Sequence, residues 1–268
     1  MKYFVWLVRL AFASWMIPAG VNHFHRLFPQ PMGSQPLSHE LIVALFDSHL
    51  FDIVKVVELL AGIAVLVGAW TPLALLVCMP VSFCVFWWDA PLEGFGSRAA
   101  LFGYSVLGCN LFLCLAYIRS YRTMFAWSPR PRSIAPSLLL PIRIVFGAWM
   151  LGNALVHFFV GSWAQHAGRE SLSIQLMDAF THSGLLNVAM TIELVAGVLI
   201  LLGRFTPVAL CVLMPVSACA LYWAALDHQP QGLVLALIGF ALNGVLMLAW
   251  LDHYRGALQK RAPSLGEA

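Results

Sequence analysis

Long apolar stretches, separated by short polar segments, dominate the pattern of hydrophobic and polar positions along this chain of 268 residues. Each stretch has about 20 residues, the length that an α-helix needs to cross a hydrocarbon core of about 30 Å. Lipid cannot hydrogen-bond the peptide backbone, so the stretches are predicted to be helices. Eight are recognisable, at about 3–25, 50–68, 72–90, 98–118, 138–160, 185–203, 206–226 and 231–251. The pattern predicts an all-α, polytopic membrane protein with eight transmembrane helices.

The composition agrees with a membrane-embedded chain. Hydrophobic residues make up 61% of the sequence and charged residues only 10%, whereas about 25% charged is usual in soluble domains. The net charge of +3 gives no reason to expect a nucleic-acid partner, and the lipid bilayer is the partner that the composition predicts. The first stretch is similar to a cleaved signal peptide, but we expect it to be retained because its counterpart at 138–160 lies inside the chain.

Two segments of the chain repeat each other. Residues 58–88 align without a gap with residues 193–223, and 17 of the 31 positions are identical. The alignment predicts a duplicated four-helix unit. Its predicted parts are a first unit at 1–122, a basic linker at 123–137, a second unit at 138–255 and a tail at 256–268.

Basic residues predict the orientation of both units. They are concentrated around the linker and in the tail: Arg119, Arg122, Arg130 and Arg132 in the first region, and Arg255, Lys260 and Arg261 in the second. Loops rich in Lys and Arg remain on the cytoplasmic side of a membrane. Because four predicted spans separate the two regions, both lie on one side, with both termini cytoplasmic. The units are then parallel repeats rather than an inverted pair.

Each unit contains one tight turn and one long loop. The turns carry matched residues: Gly68, Thr71 and Pro72 in the first unit, and Gly203, Thr206 and Pro207 in the second. We expect the glycine to end one helix, the threonine to cap the next helix and the proline to open it. The long loops, at about 26–49 and 161–184, have apolar residues at helical spacing, which predicts short interfacial helices at the outer surface.

Two glutamates at matched positions are the main candidates for chemistry. Glu58 and Glu193 lie inside apolar stretches, where an ionisable side chain is costly unless it is paired, protonated or hydrated. This indicates either a functional site or a buried hydrogen bond that holds helices together. Gly62 and Gly197, four residues further along, share the face of each glutamate and let a neighbouring helix approach closely.

His23 and His157 form the next matched pair, near the outer ends of the first and fifth stretches. A histidine paired with the glutamate of its unit would relay protons or hold a polar ligand. The alternative is a histidine whose hydrogen bonds only complete the membrane interface.

The units differ beside the glutamates. Lys55 stands three residues before Glu58, whereas Met190 stands three residues before Glu193. We therefore expect Lys55 to neutralise Glu58, and Glu193 to depend on another partner or on a proton. If only one unit is active, this difference favours the second.

Structural roles are expected for the remaining matched polar residues. These are Arg9 and Arg143, expected to snorkel to the membrane surface, and Asn110 and Asn243, expected to bond between helices. No metal site is predicted, because the six cysteines form no CxxC or zinc spacing. Soft pairs such as Met79 with Cys84 are turned apart around one helix.

The chain resembles two fused copies of the DoxX family of small bacterial membrane proteins, whose members are typically four-helix units. The resemblance rests on a block that occurs twice: Glu58, Gly62, Gly68, Thr71 and Pro72, and Glu193, Gly197, Gly203, Thr206 and Pro207. Arg9 and Arg143 match the arginine that begins the first span of the family. His23 and His157 match the histidine of its His-Gly-x-x-Lys type segment. The residues after the histidines depart from that segment: Phe24-His25-Arg26 and Phe158-Phe159-Val160.

The resemblance implies a place in the bacterial cytoplasmic (inner) membrane and a link to membrane oxidoreductase complexes, since the related DoxD subunit belongs to a thiosulfate:quinone oxidoreductase. It suggests a subunit or accessory of a system with quinone or sulfur/thiol redox chemistry. Other membrane or periplasmic oxidoreductase subunits would be its partners and quinone its cofactor, and whether the chain itself is an enzyme stays open. The two glutamates and two histidines would be the proton or quinone-headgroup ligands. A small-molecule or lipid carrier and a structural or assembly subunit are the alternatives.

Overall fold

The computed structural model describes residues 2–131, 136–161 and 168–265, without the side chains of 136–138, so that Arg132 and part of the second long loop lie outside the described residues. No strand occurs in these ranges. The α-helices are α1 (Lys2–Phe24), α2 (Pro36–Asp47), α3 (Leu50–Val67), α4 (Thr71–Trp87), α5 (Arg98–Ala116), α6 (Ile118–Tyr121), α7 (Pro136–Leu155), α8 (Ser171–His182), α9 (Leu185–Leu202), α10 (Thr206–Leu226), α11 (Pro230–Ala249) and α12 (Leu251–Tyr254). The π-helical turns Trp88–Leu92 and Val156–Val160 extend α4 and α7. The predicted all-α fold is confirmed.

Seven helices of the described part are long and apolar enough to cross a membrane. They are Lys2–Phe24, Thr71–Leu92, Arg98–Ala116, Leu139–Val160, Leu185–Leu202, Thr206–Leu226 and Pro230–Ala249. Helix α3 corresponds to the second predicted span, but it carries Asp52, Lys55 and Glu58 among its 18 residues. It nevertheless exposes apolar side chains, such as Leu60 at 62%. The protein is a polytopic membrane protein in contact with lipid, and the count of eight spans stays a prediction.

The chain divides into two compact units, Met1–Arg122 with Arg255–Ala268, and Thr123–Tyr254. In the first unit α1 packs along α3, α4 packs on α5, and the short helix α2 contacts α3. In the second unit α7 packs along α9, α10 packs on α11, and the short helix α8 contacts α9. We call the end of a unit that carries its short helix the loop end, and the opposite end, which carries the tight turn, the turn end.

Close approach of two helices occurs at one glycine in each unit. A Cβ atom on Gly62 would lie 2.9 Å from Cβ of Met16, and one on Gly197 would lie 2.8 Å from the backbone nitrogen of Leu151. Both distances are shorter than van der Waals contact, so only a glycine lets α1 pack on α3 and α7 pack on α9 in this way. The close approach that the sequence predicts at these glycines is confirmed.

Glycines end α3 and α9 at the turn end, as the sequence predicts. Gly68 has φ 78° and Gly203 has φ 66°, the left-handed conformation in which a side chain would be strained. Pro72 and Pro207 occupy the second position of α4 and α10, where the missing backbone N–H removes no helical hydrogen bond.

The threonines of the tight turns do not cap the helices, and that prediction is wrong. Helices α4 and α10 begin at Thr71 and Thr206, and the cap positions belong to Trp70 and Phe205. Both threonine side chains are buried, and their hydroxyl oxygens have no hydrogen-bond partner in the described part of the chain. A side chain inside the first turn cannot reach the free N–H groups of that turn as a cap residue does.

The cap residues Trp70 and Phe205 are bound instead by chain segments that follow α11 and α5, respectively. In the first unit the backbone N–H of Trp70 donates to the carbonyl of Lys260 at 2.9 Å, and in the second unit that of Phe205 donates to Trp127 at 3.3 Å. A cation lies near an indole ring at each place, Lys260 over Trp70 and Arg204 over Trp127. The tight turns are thus held by backbone and cation–π contacts.

The matched arginines lie at helix ends. Arg9 Nη2 donates to the carbonyl of Val65 at 2.7 Å, in the last turn of α3. A Cβ atom on Gly68 would come within 2.6 Å of Arg9 Nη2, and one on Gly203 within 2.5 Å of Arg143 Nη1. Because the C-terminal end of a helix attracts a cation, Arg9 stabilises the α1–α3 pair, and Arg143 lies at the corresponding end of α9. Snorkelling of the two arginines to the membrane surface stays a prediction.

Glu93 closes the start of the short helix α2. Its carboxylate accepts hydrogen bonds from the backbone N–H of Ser34 at 2.7 Å and from the Ser38 hydroxyl. The indole N–H of Trp88 donates to the Ser38 carbonyl at 2.8 Å. An acid here satisfies free N–H groups beside the first turn and complements the helix dipole. The structure thereby confirms the short helix predicted in this loop.

Asp227 closes the start of the short helix α8 in the same manner. It accepts hydrogen bonds from the backbone N–H of Arg169 and from the Ser173 hydroxyl, both at 2.6 Å. Trp223 donates to the Ser173 carbonyl at 2.8 Å. The described part of this loop therefore contains the predicted helix, anchored to the connection between α10 and α11.

Candidate functional site

Glu58 and Lys55 form a buried ion pair on α3 of the first unit. Lys55 Nζ lies 2.8 Å from Glu58 Oε2, and the two side chains are 11% and 2% exposed. The lysine also lies 4.6 Å from the centre of the Phe51 ring. Residues three apart share one face of a helix, so the pair that the spacing predicts is confirmed. Glu58 therefore has a counter-charge on its own helix.

Glu193 occupies the corresponding position of α9 without such a partner. Its side chain is buried, with 6% exposure, and the apolar Met190 takes the place of a lysine. Asn153 of α7 hydrogen-bonds the carboxyl group, but Oε2 has no donor among the residues that the structure describes. The second unit thus places a carboxyl oxygen inside the membrane with an unused capacity to bind a proton or a hydroxyl.

The histidines bind the helices that carry the glutamates, but at other residues. His23 Nε2 lies 2.6 Å from Asp52 Oδ1 on α3, and His157 Nε2 lies 2.8 Å from Asn187 Oδ1 on α9. Asp52 and Asn187 each precede the glutamate of their helix by six residues, which corresponds to about 9 Å along the axis. The structure therefore shows no direct His–Glu hydrogen bond of the kind that the sequence suggests.

The loop end of the first unit adds a second histidine. His49, in the left-handed conformation with φ 59°, lies with Nδ1 3.0 Å from Asp52 Oδ2. Gly184 stands at the matched position of the second unit, with φ 77°. The first unit thus has ionisable groups around Asp52, whereas the second has the neutral amide of Asn187.

The matched asparagines link the third and fourth long helices of their units. Asn110 Nδ2 donates to Ser82 Oγ at 2.9 Å, between α5 and α4. The side-chain amide of Asn243 lies 3.3 Å from Ser217 Oγ, between α11 and α10. All four side chains are buried. The interhelical hydrogen bonds expected from the sequence are confirmed, and their role is to hold helices together.

Sequence reasoning missed three polar residues of the site. Asp52 and Asn187 stand at matched positions but differ in type, so a comparison that favours identical residues passes over them. Asn153 precedes His157 by four residues on α7 and has Ala19 as its counterpart. A signal for Asp52 was present in the sequence. Asp52, Lys55 and Glu58 follow a three-residue spacing, which places three polar side chains on one face of α3.

The site can bind hydrogen-bonding groups and protons. Among the described residues, no group of three or more His, Cys, Asp or Glu side chains is placed to hold a metal ion. The chemistry that the side chains themselves offer is acid–base chemistry, with carboxyl, imidazole and amide groups along α3 and α9.

A comparison with protein families gives one match. The model of the DoxX family matches residues 138–226, about a third of the chain, which include α9, α10 and Glu193. No curated protein and no solved structure shows a significant match. The matched segment contains the glutamate that lacks a charged partner.

Proposed function

Because residues 138–226 form a DoxX domain, we propose that this membrane protein is a subunit or accessory of a quinone-linked membrane oxidoreductase, and that its second unit engages the quinone headgroup. One observation supports this: Glu193 Oε2 is buried without a hydrogen-bond donor, whereas Glu58 is fully paired. A buried acceptor without a donor is costly, and a ligand hydroxyl or a proton at Oε2 offsets that cost.

The residues around Glu193 fit a group that exchanges protons. A bound quinone would take up two protons and two electrons on reduction to the quinol, with the electrons supplied by a partner oxidoreductase subunit. Glu193 holds and delivers a proton at Oε2, and Asn153 orients the carboxyl group. His157 has an unpartnered Nδ1 among the described atoms and binds Asn187 nearer the loop end, so it is the next group to carry protons.

Purification with native lipid tests the proposal. We expect quinone, quantified by mass spectrometry per mole of protein, to co-purify with the unaltered chain and to fall about tenfold in Met190→Lys. The lysine would reproduce the spacing of Lys55 and Glu58, so its ammonium group would occupy the oxygen of Glu193 while the fold is kept. Glu193→Gln, which cannot hold the proton, is expected to lose proton-coupled quinone reduction.

A matched control uses the first unit. The double variant Lys55→Met with Glu58→Gln removes the ion pair without leaving an unpaired charge, and we expect it to retain the quinone. If this double variant lost the quinone and Met190→Lys kept it, the proposal for the second unit would be wrong.

A structural or assembly role is the second candidate, and the buried hydrogen bonds of Asn110 and Asn243 favour it. The same experiment separates the candidates. Unchanged bound molecules with lowered stability in both glutamate variants indicate a structural subunit. Loss of a bound solute other than quinone from Glu193→Gln indicates a carrier.

We further propose a place in the bacterial cytoplasmic membrane with both termini in the cytoplasm. The support is the basic side chains at the turn end of the first unit, among them Arg119, Arg122 and Arg255, which favour the cytoplasmic side. The protein is given a C-terminal epitope tag, and spheroplasts that contain it are treated with protease. We expect the tag to remain intact. Removal of the tag without lysis would show that the C-terminus lies outside the cytoplasm and would overturn the proposed orientation.

A further inference from the structure

A cavity of about 350 Å³ opens at the loop end of the first unit, where α1 ends. Its lining consists of Asn22, His23, Arg26, Gln30, Met32 and Phe46. The lining thus combines nitrogen donors with two apolar side chains and contains no carboxylate. Asp52 binds His23 from outside the lining and is also engaged by His49.

Asn22 lines this cavity, and its side chain has a fixed orientation. Its side chain is 2% exposed, and its Oδ1 accepts hydrogen bonds from the backbone N–H of Leu27 at 2.8 Å and Phe28 at 2.7 Å. Because two N–H groups hold the oxygen, the amide cannot be turned over, and Nδ2 faces away from them. That Nδ2 is buried and has no partner within the described chain.

Two further residues with nitrogen donors line the same cavity, Gln30 and Arg26. Gln30 Nε2 is also buried without a partner among the described residues. Arg26 lines the cavity, and its guanidinium group makes no hydrogen bond or ion pair with any residue in the described ranges. The cavity lining therefore includes two side chains with buried, unsatisfied amide donors and one exposed cation. This combination suits an oxyanion, because a buried donor is costly until an acceptor reaches it and a cation strengthens the hydrogen bonds of an anion.

We propose that this cavity binds a phosphate group, presented by the headgroup of an anionic phospholipid. The cavity is far larger than a lone phosphate ion, and Met32 and Phe46 give it an apolar wall that an ion alone would not use. It also lies at the end of a membrane-spanning helix, the level at which lipid headgroups lie. Arg26 supplies the charge, and Asn22 and Gln30 supply hydrogen-bond donors.

The described part of the second unit does not repeat Asn22 and Arg26. Val156 stands one residue before His157, where Asn22 stands before His23, and Val160 stands three residues after His157, where Arg26 follows His23. Both valines are exposed, at 41% and 79%. These two residues of the proposed phosphate site are therefore found in the first unit and not at the matched positions of the second, and the site is independent of the function proposed for Glu193.

Native mass spectrometry of the whole chain in detergent tests the proposal. Phosphatidylglycerol is titrated against diacylglycerol with the same acyl chains, which lacks the phosphate. We expect one phosphatidylglycerol to bind about tenfold more tightly than diacylglycerol. Equal binding of the two lipids would overturn the proposal.

Substitutions locate the site. Asn22→Asp keeps the oxygen that binds Leu27 and Phe28 but replaces the free amide by a negative oxygen, so we expect phosphatidylglycerol binding to weaken about tenfold or more with the fold retained. Arg26→Gln is expected to act in the same direction. The matched control is Arg98→Gln, which removes an exposed cation from the loop end but outside the cavity, and which is expected to leave binding unchanged.

Two outcomes decide the assignment. If Arg98→Gln weakens lipid binding as much as Arg26→Gln, the attraction is general surface charge and no specific site exists. If millimolar inorganic phosphate displaces the bound phosphatidylglycerol, or binds alone with the same loss in Asn22→Asp, the lipid assignment is overturned in favour of soluble phosphate.

Discussion

Lys55 Nζ lies 2.8 Å from Glu58 Oε2 in the first unit, whereas Met190 and Glu193 hold the same spacing in the second unit with one glutamate oxygen unpartnered. The buried carboxyl groups of the two units therefore have different partners. In the first unit a lysine on the same helix pairs with the glutamate. In the second unit one glutamate oxygen is available to a proton or to a ligand donor. This difference underlies the proposed division of roles between the units.

Breaking the ion pair of the first unit should destabilise the protein strongly. Glu58→Gln leaves the ammonium group of Lys55 buried without a counter-charge, which costs about 3–5 kcal/mol. We expect a corresponding fall in the free energy of unfolding, measured by denaturant titration in detergent. The double variant with Lys55→Met should recover most of the loss, because the two substitutions together leave no unpaired charge.

The second unit supplies the control for that prediction. Glu193→Gln removes no ion pair and should change the free energy of unfolding by less than about 1 kcal/mol. Equal losses in the two glutamate variants would contradict the assignment of Lys55 as the partner that distinguishes them.

Gly197→Ala should weaken the packing of α7 on α9. The added Cβ would lie 2.8 Å from the backbone nitrogen of Leu151, and backbone cannot give way as a flexible side chain does, so we expect a loss of about 1–3 kcal/mol. The control is Gly152→Ala on α7, where no atom lies within 4 Å of the added Cβ. Alanine favours the helix there by up to about 1 kcal/mol, and thermal unfolding should show the two variants shifting in opposite directions.

Thr206→Val should leave stability unchanged or raise it. The Thr206 side chain is fully buried and its hydroxyl has no partner among the described residues, so replacing it by a methyl group removes an unsatisfied polar atom. If the Thr206 hydroxyl capped α10, the same substitution would lower the free energy of unfolding by about 1 kcal/mol. The melting temperature of the purified protein distinguishes the two cases, and a clear decrease would restore the capping role.

Acidification should loosen helix α8. Burial acts to raise the pKa of Asp227, but hydrogen bonds from Ser173 and from the backbone N–H of Arg169 and Glu170 outweigh it and hold the pKa below its ordinary value of 3.8. Since the folded-state pKa is the lower one, the ionised carboxylate stabilises the fold above pH 3.8. That contribution is lost as the pH falls through the folded value. The fluorescence of Trp223, which donates to the Ser173 carbonyl, should report the change.

Asp227→Asn provides the comparison for the pH experiment. The amide cannot titrate and binds the same N–H groups more weakly, so we expect a loss of about 1 kcal/mol at neutral pH and no acid transition of the α8 signal. If the variant and the unaltered protein showed the same acid transition, another group would be responsible for it.

Much of the site could be predicted because it is local. The Lys55–Glu58 pair follows from residues three apart on one helix, and the roles of Gly62 and Gly197 follow from their position one turn beyond the glutamates. The partners of the histidines could not be predicted, because His23 and Asp52 lie on different helices. Their contact depends on how far α1 is shifted along α3, which apolar periodicity does not specify.

The sequence by itself determined that this is a helical membrane protein, because lipid permits few backbone arrangements and a hydrophobic length of about 20 residues is visible in the sequence. Only the tertiary structure decided which polar atoms are satisfied. In the tertiary structure Glu93 and Asp227 lie at the starts of the short helices. Glu193 Oε2 has no donor among the described residues. Asn22 and Gln30, whose amide nitrogens have no partner there, line one cavity. The reason is that hydrogen bonds between helices depend on distances and directions set by packing, which residue order alone does not fix.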